Sequence, residues 1–208
     1  MIRHLDHLVY AAADLQAGID AIERLTGVRA EPGGRHPSFG THNALLRLGP
    51  AAYLEIMAPD PGLPAPARGR LTDGWRLEFP RLVTWVLRPR DICSASLSAA
   101  GLGVELGEIN PCSRQTPQGH TLHWKLSDPY CDRLGGAVPF LIDWEETPHP
   151  SENLREAVTL TGFRVEHPDS AKVRKLIEAL GAKVVCRPKR EIRLMATLQT
   201  PNGVVELT

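Results

Sequence analysis

Three times along this chain a strand-forming run leads to an aspartate, then to a helical stretch, then to a glycine. The aspartates are Asp14, Asp91 and Asp169, 77 and 78 residues apart, and the glycines are Gly27, Gly101 and Gly181. A supersecondary unit that recurs at a near-constant interval constrains the fold more than any single residue, because every copy has the same faces to bury. Each aspartate is placed to accept from the free N–H groups of a first helical turn. Leu15, Ile19, Ile22 and Leu25 form one apolar helical stripe, and Val173, Leu176, Ile177 and Leu180 form the clearest stripe in the chain. The middle helix, ending near Gly101, is weaker.

Strands complete each unit. Leu5–Ala11 opens the first, and Ala44–Leu48 and Ala52–Met57 close it around a Gly49-Pro50 turn. Residues 31–43, with Pro32, Gly33, Gly34, Pro37 and Gly40, read as a loop. The second unit opens at Leu82–Leu87, with strands expected at Val104–Leu106, Thr121–Leu126 and Val138–Trp144. The third has strands at Val158–Val165, Lys183–Val185, Arg193–Leu198 and Val204–Leu207, the last pair joined by an Asn202-Gly203 turn. The proline-rich stretches 59–66 and 147–150 read as linkers.

A helix covers one face of such a unit, and the other face must pack against something. Two units side by side curve into a half-barrel with a concave cleft. The expected class is therefore α+β: repeated βαβββ modules whose antiparallel-rich mixed sheets form that cleft. Units at about 1–60 and 80–146 make a domain over residues 1–150, and a third unit at 155–208 serves packing or homodimerisation.

Lys plus Arg and Asp plus Glu both number 24, so the formal net charge is zero. Nucleic-acid proteins carry a basic excess, and this balance also disfavours broad attachment to an acidic membrane. Cys93, Cys112, Cys131 and Cys186 are scattered, with no C-x-x-C pair, which fits reduced thiols in the cytoplasm. No adjacent histidine pattern marks any of them as a nucleophile. No phosphate-binding Gly-rich loop or dinucleotide fingerprint is present, so no nucleotide cofactor is expected.

The runs Leu5-Asp6-His7-Leu8-Val9-Tyr10, Gly34–Asn43 and Tyr53-Leu54-Glu55-Ile56-Met57-Ala58-Pro59 resemble the glyoxalase-like domain family of the vicinal oxygen chelate superfamily. Thr121–Leu126, Pro139–Trp144 and Pro201–Leu207 extend the resemblance over nearly the whole chain. It implies a metal site on the first and last strands of paired units, with His7 and Glu55 as ligands. Imidazole and carboxylate together suit Zn, Fe, Mn, Ni or Co, and such an ion polarises a substrate oxygen. The second unit offers Thr84 where the first has His7, and the third offers Gly162. Asp143, after a one-residue shift, could serve at the second unit's last-strand position, His123 is another donor on a neighbouring strand, and Glu206 of the third unit matches the family's terminal glutamate.

His36, His42 and Asn43 lie in or beside the Gly/Pro-rich segment, where binding groups concentrate; with His123 they are the expected substrate contacts. For the first three, the plainer reading that they satisfy turn backbone is as strong; for His123, a core or hydrogen-bonded histidine slightly outweighs the substrate contact. For Trp85 and Trp144 a core role outweighs a ligand platform. No catalytic residue is assigned. The expected function is a metal-dependent lyase, isomerase or related enzyme acting on a small oxygenated metabolite. The alternative is a metal-free small-molecule binding or sequestering protein on the same scaffold, motivated by the missing donors at Thr84 and Gly162.

Overall fold

The computed structural model describes residues 2–75, 77–116 and 119–208. All three aspartates cap as their positions require: Asp14, Asp91 and Asp169 accept from the N–H groups of Ala17, Ser94 and Lys172, at 2.8, 3.0 and 3.0 Å. They begin α1 (Leu15–Thr26), α2 (Ile92–Ala100) and α3 (Ser170–Ala179). Gly27 and Gly181 adopt positive φ, 74° and 83°, which ends α1 and α3 at little steric cost. Gly101 stays right-handed at φ −60°, and the turn after α2 is made two residues later by Gly103.

The first unit comprises β1 (Leu5–Ala11), α1, β2 (Glu31–His36), β3 (Thr41–Arg47) and β4 (Tyr53–Pro59). The second comprises β5 (Arg81–Leu87), α2, β6 (Ile109–Gln115), β7 (Thr121–Ser127) and β8 (Phe140–Asp143). In each, the first strand pairs in parallel with the last: β1 with β4, β5 with β8. The antiparallel β1–β5 pair joins the units, and the eight strands close in the order β1-β4-β3-β2-β6-β7-β8-β5. The half-barrel expected from packing is thus drawn shut. The closing seam is slight: among the described residues β2 and β6 share one bridging pair, Arg35 with Gln115.

Two segments of the barrel units differ from their sequence reading. Residues 31–43, expected as a loop, form β2 and the start of β3. Gly33 and Gly34 lie in this strand because a Cβ there would meet Asn43 Oδ1 at 2.1 Å and Gln115 O at 2.4 Å. Residues 104–106, expected as a strand, make no ladder; Val104 and Leu106 instead bury their side chains in the core while the strand forms at 109–115.

The third unit, β9 (Thr159–His167), α3, β10 (Val185–Pro188), β11 (Arg193–Thr200) and β12 (Gly203–Leu207), keeps the element order but pairs differently. Its sheet runs β10-β9-β11-β12, so first and last strands are separated by β11. One face, with Val165, Leu194, Ala196 and Leu198, belongs to the same core cluster as α3 and the outer wall of the barrel. The Trp85 and Phe163 rings meet there, centroids 5.2 Å apart. The apolar face that was expected to need a partner is therefore covered within the chain. The opposite face is polar, with Arg164 paired to Glu206 (2.7 Å) and to Glu166 (3.6 Å).

Strand alternation sorts the barrel side chains into two cores. Leu8, Tyr10, Leu54, Ile56, Trp85 and Leu87 face outward under the helices and the third unit. Val9, Ala11, Met57, Val86, Trp124, Phe140, Ile142 and Trp144 fill the interior. No helix among the described residues is long and apolar enough to cross a membrane.

Candidate functional site

The parallel β1–β4 pair builds the site. His7 sits beside Tyr53, and Val9 beside Glu55, so alternation turns His7, Tyr53 and Glu55 together into the barrel. His7 Nε2 lies 3.4 Å from Glu55 Oε2, and the imidazole stacks on the Tyr53 ring with centroids 4.6 Å apart. The β1–β5 register slips between Leu5 and His7. This irregularity brings two consecutive side chains together: Asp6 Oδ1 lies 2.7 Å from His7 Nδ1. Asp6 is wholly buried and its other oxygen is also engaged, by Trp144 Nε1 at 2.9 Å and His149 Nε2 at 3.1 Å. Arg88 Nε is 3.8 Å away, and His149 Nδ1 reaches Ser151 Oγ at 2.7 Å.

These contacts set the charges. Burial acts to lower the His7 pKa, but hydrogen bonds to Asp6 and Glu55 outweigh it and raise it to about 9. Burial would raise Glu55, yet His7 and Asn43 hold it down at about 2. Asp6 is likewise depressed, because bonds from His149 and His7 overcome its desolvation. At neutral pH the interior thus holds an imidazolium between two carboxylates. His36 is the opposite case: burial drives it down to about 4 and keeps it neutral, with Nδ1 3.2 Å from Thr41 Oγ1.

Asn43 and Arg114 complete the wall. Asn43, on β3, donates from Nδ2 to Glu55 Oε1 at 2.5 Å, and its own Oδ1 is buried without a partner among the described residues. Arg114, on β6, is 6% exposed and donates from Nη1 to Gly33 O at 2.6 Å across the β2–β6 seam. No carboxylate lies within 4 Å of it among the described residues. Burial lowers its pKa, with Tyr53 and Glu55 acting in the opposite sense.

Two spaces meet at these residues. An inner cavity of about 50 Å³ is lined by His7, His36, Tyr53, Glu55 and the interior aromatics. A groove of about 760 Å³ runs outside the seam past Leu15, Pro32, Arg35, His42, Leu63 and Thr121. Asn43 and Arg114 line both.

The structure brings His7, Glu55, His36 and Asn43 together in the inner cavity and sets His42 on the groove. Two residues expected at the site lie elsewhere. His123 is exposed on the outer face of β7, because Trp124 and Leu126 take the inward positions. Asp143 is also turned out, accepting from Glu145 N–H at 2.9 Å, while Ile142 fills the interior position. Thr84 is fully buried with its hydroxyl unpartnered among the described residues, and it does not line the cavity. In the third unit Gly162 pairs with Thr197 and Thr197 with Glu206, so first- and last-strand positions are two strands apart. Sequence reasoning missed Arg114, Asp6 and His149. Only the Asp6-His7 pair carried a signal, since a carboxylate beside a histidine commonly orients it.

Tested against a metal, the donor set falls short. His7 Nε2 and Glu55 Oε2 can supply two ligands, and Asp6 would hold His7 in the required tautomer. The described residues contain no group of three or more His, Cys, Asp or Glu side chains able to hold an ion. A protein-held shell normally has three or four such donors, so the residues present do not fit a resident metal.

Fold and site together define a class: two βαβββ modules closed into a barrel, with polar chemistry on one module's first and last strands inside. The chain belongs to the glyoxalase-like domain family, whose model matches residues 5–181, and thus to the vicinal oxygen chelate superfamily. No curated protein matches it in sequence. Among solved structures it is similar to a hypothetical protein from Staphylococcus aureus, at 16% identity and TM-score 0.64, over 99% of this chain and 84% of that one. It is also similar to a triple mutant of 4-hydroxymandelate synthase from Streptomyces coelicolor, at 14% identity and TM-score 0.52, over 98% of this chain and 61% of that one. A methylmalonyl-CoA epimerase in complex with methylmalonyl-CoA and NH4+ aligns at 16% identity and TM-score 0.48, over 72% of this chain and all of the other. At these identities the likeness is one of fold.

Proposed function

We propose that the protein binds a small oxygenated metabolite at the inner cavity and moves a proton on it, as an isomerase or lyase does. The buried His7–Glu55 pair carries this reading, because opposed acid and base groups in a water-poor pocket are what such a transfer needs. A ligand oxygen entering beside His7 Nε2 would accept its hydrogen bond. Glu55 Oε2, released from the imidazolium, would face the adjacent carbon and could take a proton from it. Asp6, Trp144 and His149 would hold the imidazole in place throughout. This route uses no metal step. Substrate panels in D2O, followed by NMR, test it: wild type should exchange or convert one substrate hydrogen, and Glu55→Gln should be slower by roughly 10²–10⁴-fold. Equal rates for the two proteins would exclude proton transfer at Glu55.

A second reading is a binding or sequestering protein without turnover. It is favoured by the second module, whose first and last strands place apolar Val86, Phe140 and Ile142 inside where the first module has His7 and Glu55. Ligands that raise the melting temperature yet emerge unchanged would support it. The metal-dependent form of the activity makes a separate expectation: protein purified without chelator would retain a stoichiometric divalent ion, lost in His7→Ala.

A further inference from the structure

We propose that Arg114 is the specificity residue of this site and that its ligand is a small monocarboxylic acid with an apolar body, seated through the β2–β6 seam. The inference rests on the reading of the inner cavity as a ligand site and adds the class of ligand. Buried arginines are ordinarily paired with carboxylates. Arg114 is buried, has no carboxylate within 4 Å among the described residues, and donates there to a single backbone carbonyl, Gly33 O. It stands where the inner cavity and the outer groove meet.

The surroundings select the charge and shape of what binds. His36 beside the cavity is neutral, and His7 is already committed to Asp6 and Glu55. Arg88 stands 3.8 Å from Asp6, so His7 and Arg88 together balance Asp6 and Glu55, and the positive charge left over is that of the Arg114 guanidinium. One negative charge is matched and two are repelled, which favours a carboxylate over a phosphate. The planar fork of arginine also matches a carboxylate in a bidentate pair.

Size places the rest of the molecule. The inner cavity of about 50 Å³ admits little more than the reacting group, while the groove of about 760 Å³ is within the range of small-molecule sites. Leu15, Pro32, Pro37 and Leu63 give the groove apolar wall. A carboxylate at the junction would take over the Gly33 carbonyl's place on Nη1 and release the cross-seam bond that helps close the barrel. The strand on the other side is permissive, since Gly33 and Gly34 put no side chain against Asn43 or the guanidinium.

Matched pairs of acids and amides test the assignment: phenylacetate against phenylacetamide and hexanoate against hexanamide, by calorimetry and melting temperature. The acids should bind wild type roughly tenfold or more tighter than their amides. Arg114→Gln should erase the difference, and Arg114→Lys should retain part of it. Amides binding as well as acids, or no acid binding at millimolar concentration, would overturn the proposal. So would undiminished acid binding by folded Arg114→Gln. If that variant does not fold, the acid–amide comparison on wild type decides alone. Amides that bind while acids do not would remove the carboxylate and leave the cavity as a ligand site, whose proton-transfer role is read separately in the Glu55→Gln exchange experiment.

Discussion

At the scale of residues, the interior is held by a few buried charges that depend on one another. Asp6 accepts from three side chains in a place without solvent, so its removal leaves His7, His149 and Trp144 without that acceptor. Breaking a buried pair by deleting one partner costs about 3–5 kcal/mol. Asp6→Ala should lose stability on that order in urea denaturation, whereas a loss below about 1 kcal/mol would mean the network contributes little. Gly33 is a different kind of dependence. A Cβ would stand 2.1 Å from Asn43 Oδ1, so Gly33→Ala must displace the Asn43 amide that holds Glu55. The expected outcome is a destabilisation of about 1–3 kcal/mol together with weakened ligand binding. Gly49→Ala, where nothing lies within 4 Å, should leave ligand binding unchanged although its φ of 138° strains the backbone.

At the scale of elements, the barrel has strong and weak joints. The β1–β4 and β3–β4 ladders are continuous over five and seven register pairs, while β2 and β6 share a single pair. Backbone that opens easily exchanges its amide hydrogens quickly. Amides of β2 and β6 along the seam should therefore exchange faster than those of β1 and β4, and a carboxylate ligand that displaces Gly33 O should speed the seam further. Slow, uniform exchange around the whole barrel would show that the seam is not a point of entry. The element scale also explains why only the first unit turns polar groups into the cavity from both its first and its last strand. Parallel pairing of first and last strands occurs in both barrel units, but the second places Val86, Phe140 and Ile142 inside. The third interposes β11 between the two strands, so Glu206 meets Arg164 on an open face instead of a histidine in a cavity.

At the scale of the molecule, one core cluster runs from α1 and the outer barrel wall into the third unit. Such continuity favours a single cooperative unfolding transition. Truncation after residue 155 would bare Trp85, which Phe163 now covers, and should give aggregated protein; a soluble truncated barrel with unchanged melting temperature would show the third unit to be dispensable. Stability should also peak near neutral pH. The His7 contribution, from a pKa raised to about 9, is complete below about pH 6.5 and lost as pH rises through 9. The contributions of Asp6 and Glu55, both depressed, are present above about pH 4.5 and lost as pH falls toward 2. His36, held neutral with a pKa of about 4, adds a loss of stability between about pH 6.5 and 4. Melting temperatures should thus fall on both sides of a maximum, and Glu55→Gln should reduce the alkaline decline. An alkaline limb identical in that variant would show that the His7–Glu55 pairing does not set it.

What the sequence alone determined was local and periodic. Aspartates at helix starts, apolar stripes at helical spacing and alternating strand runs act within a few residues, so they were readable in order, and with them the modular α+β fold and the placing of His7 and Glu55 on strands. The tertiary structure decided everything that depends on which strands meet. A one-residue phase in a strand sends a side chain to the opposite face, which is why Ile142 and Trp124 point inward and Asp143 and His123 outward. The irregularity at Asp6, the return of His149 from beyond the second unit and the approach of β6 to β2 that buries Arg114 are long-range pairings. Such contacts join residues 81 to 143 positions apart, and no local pattern in the chain records them.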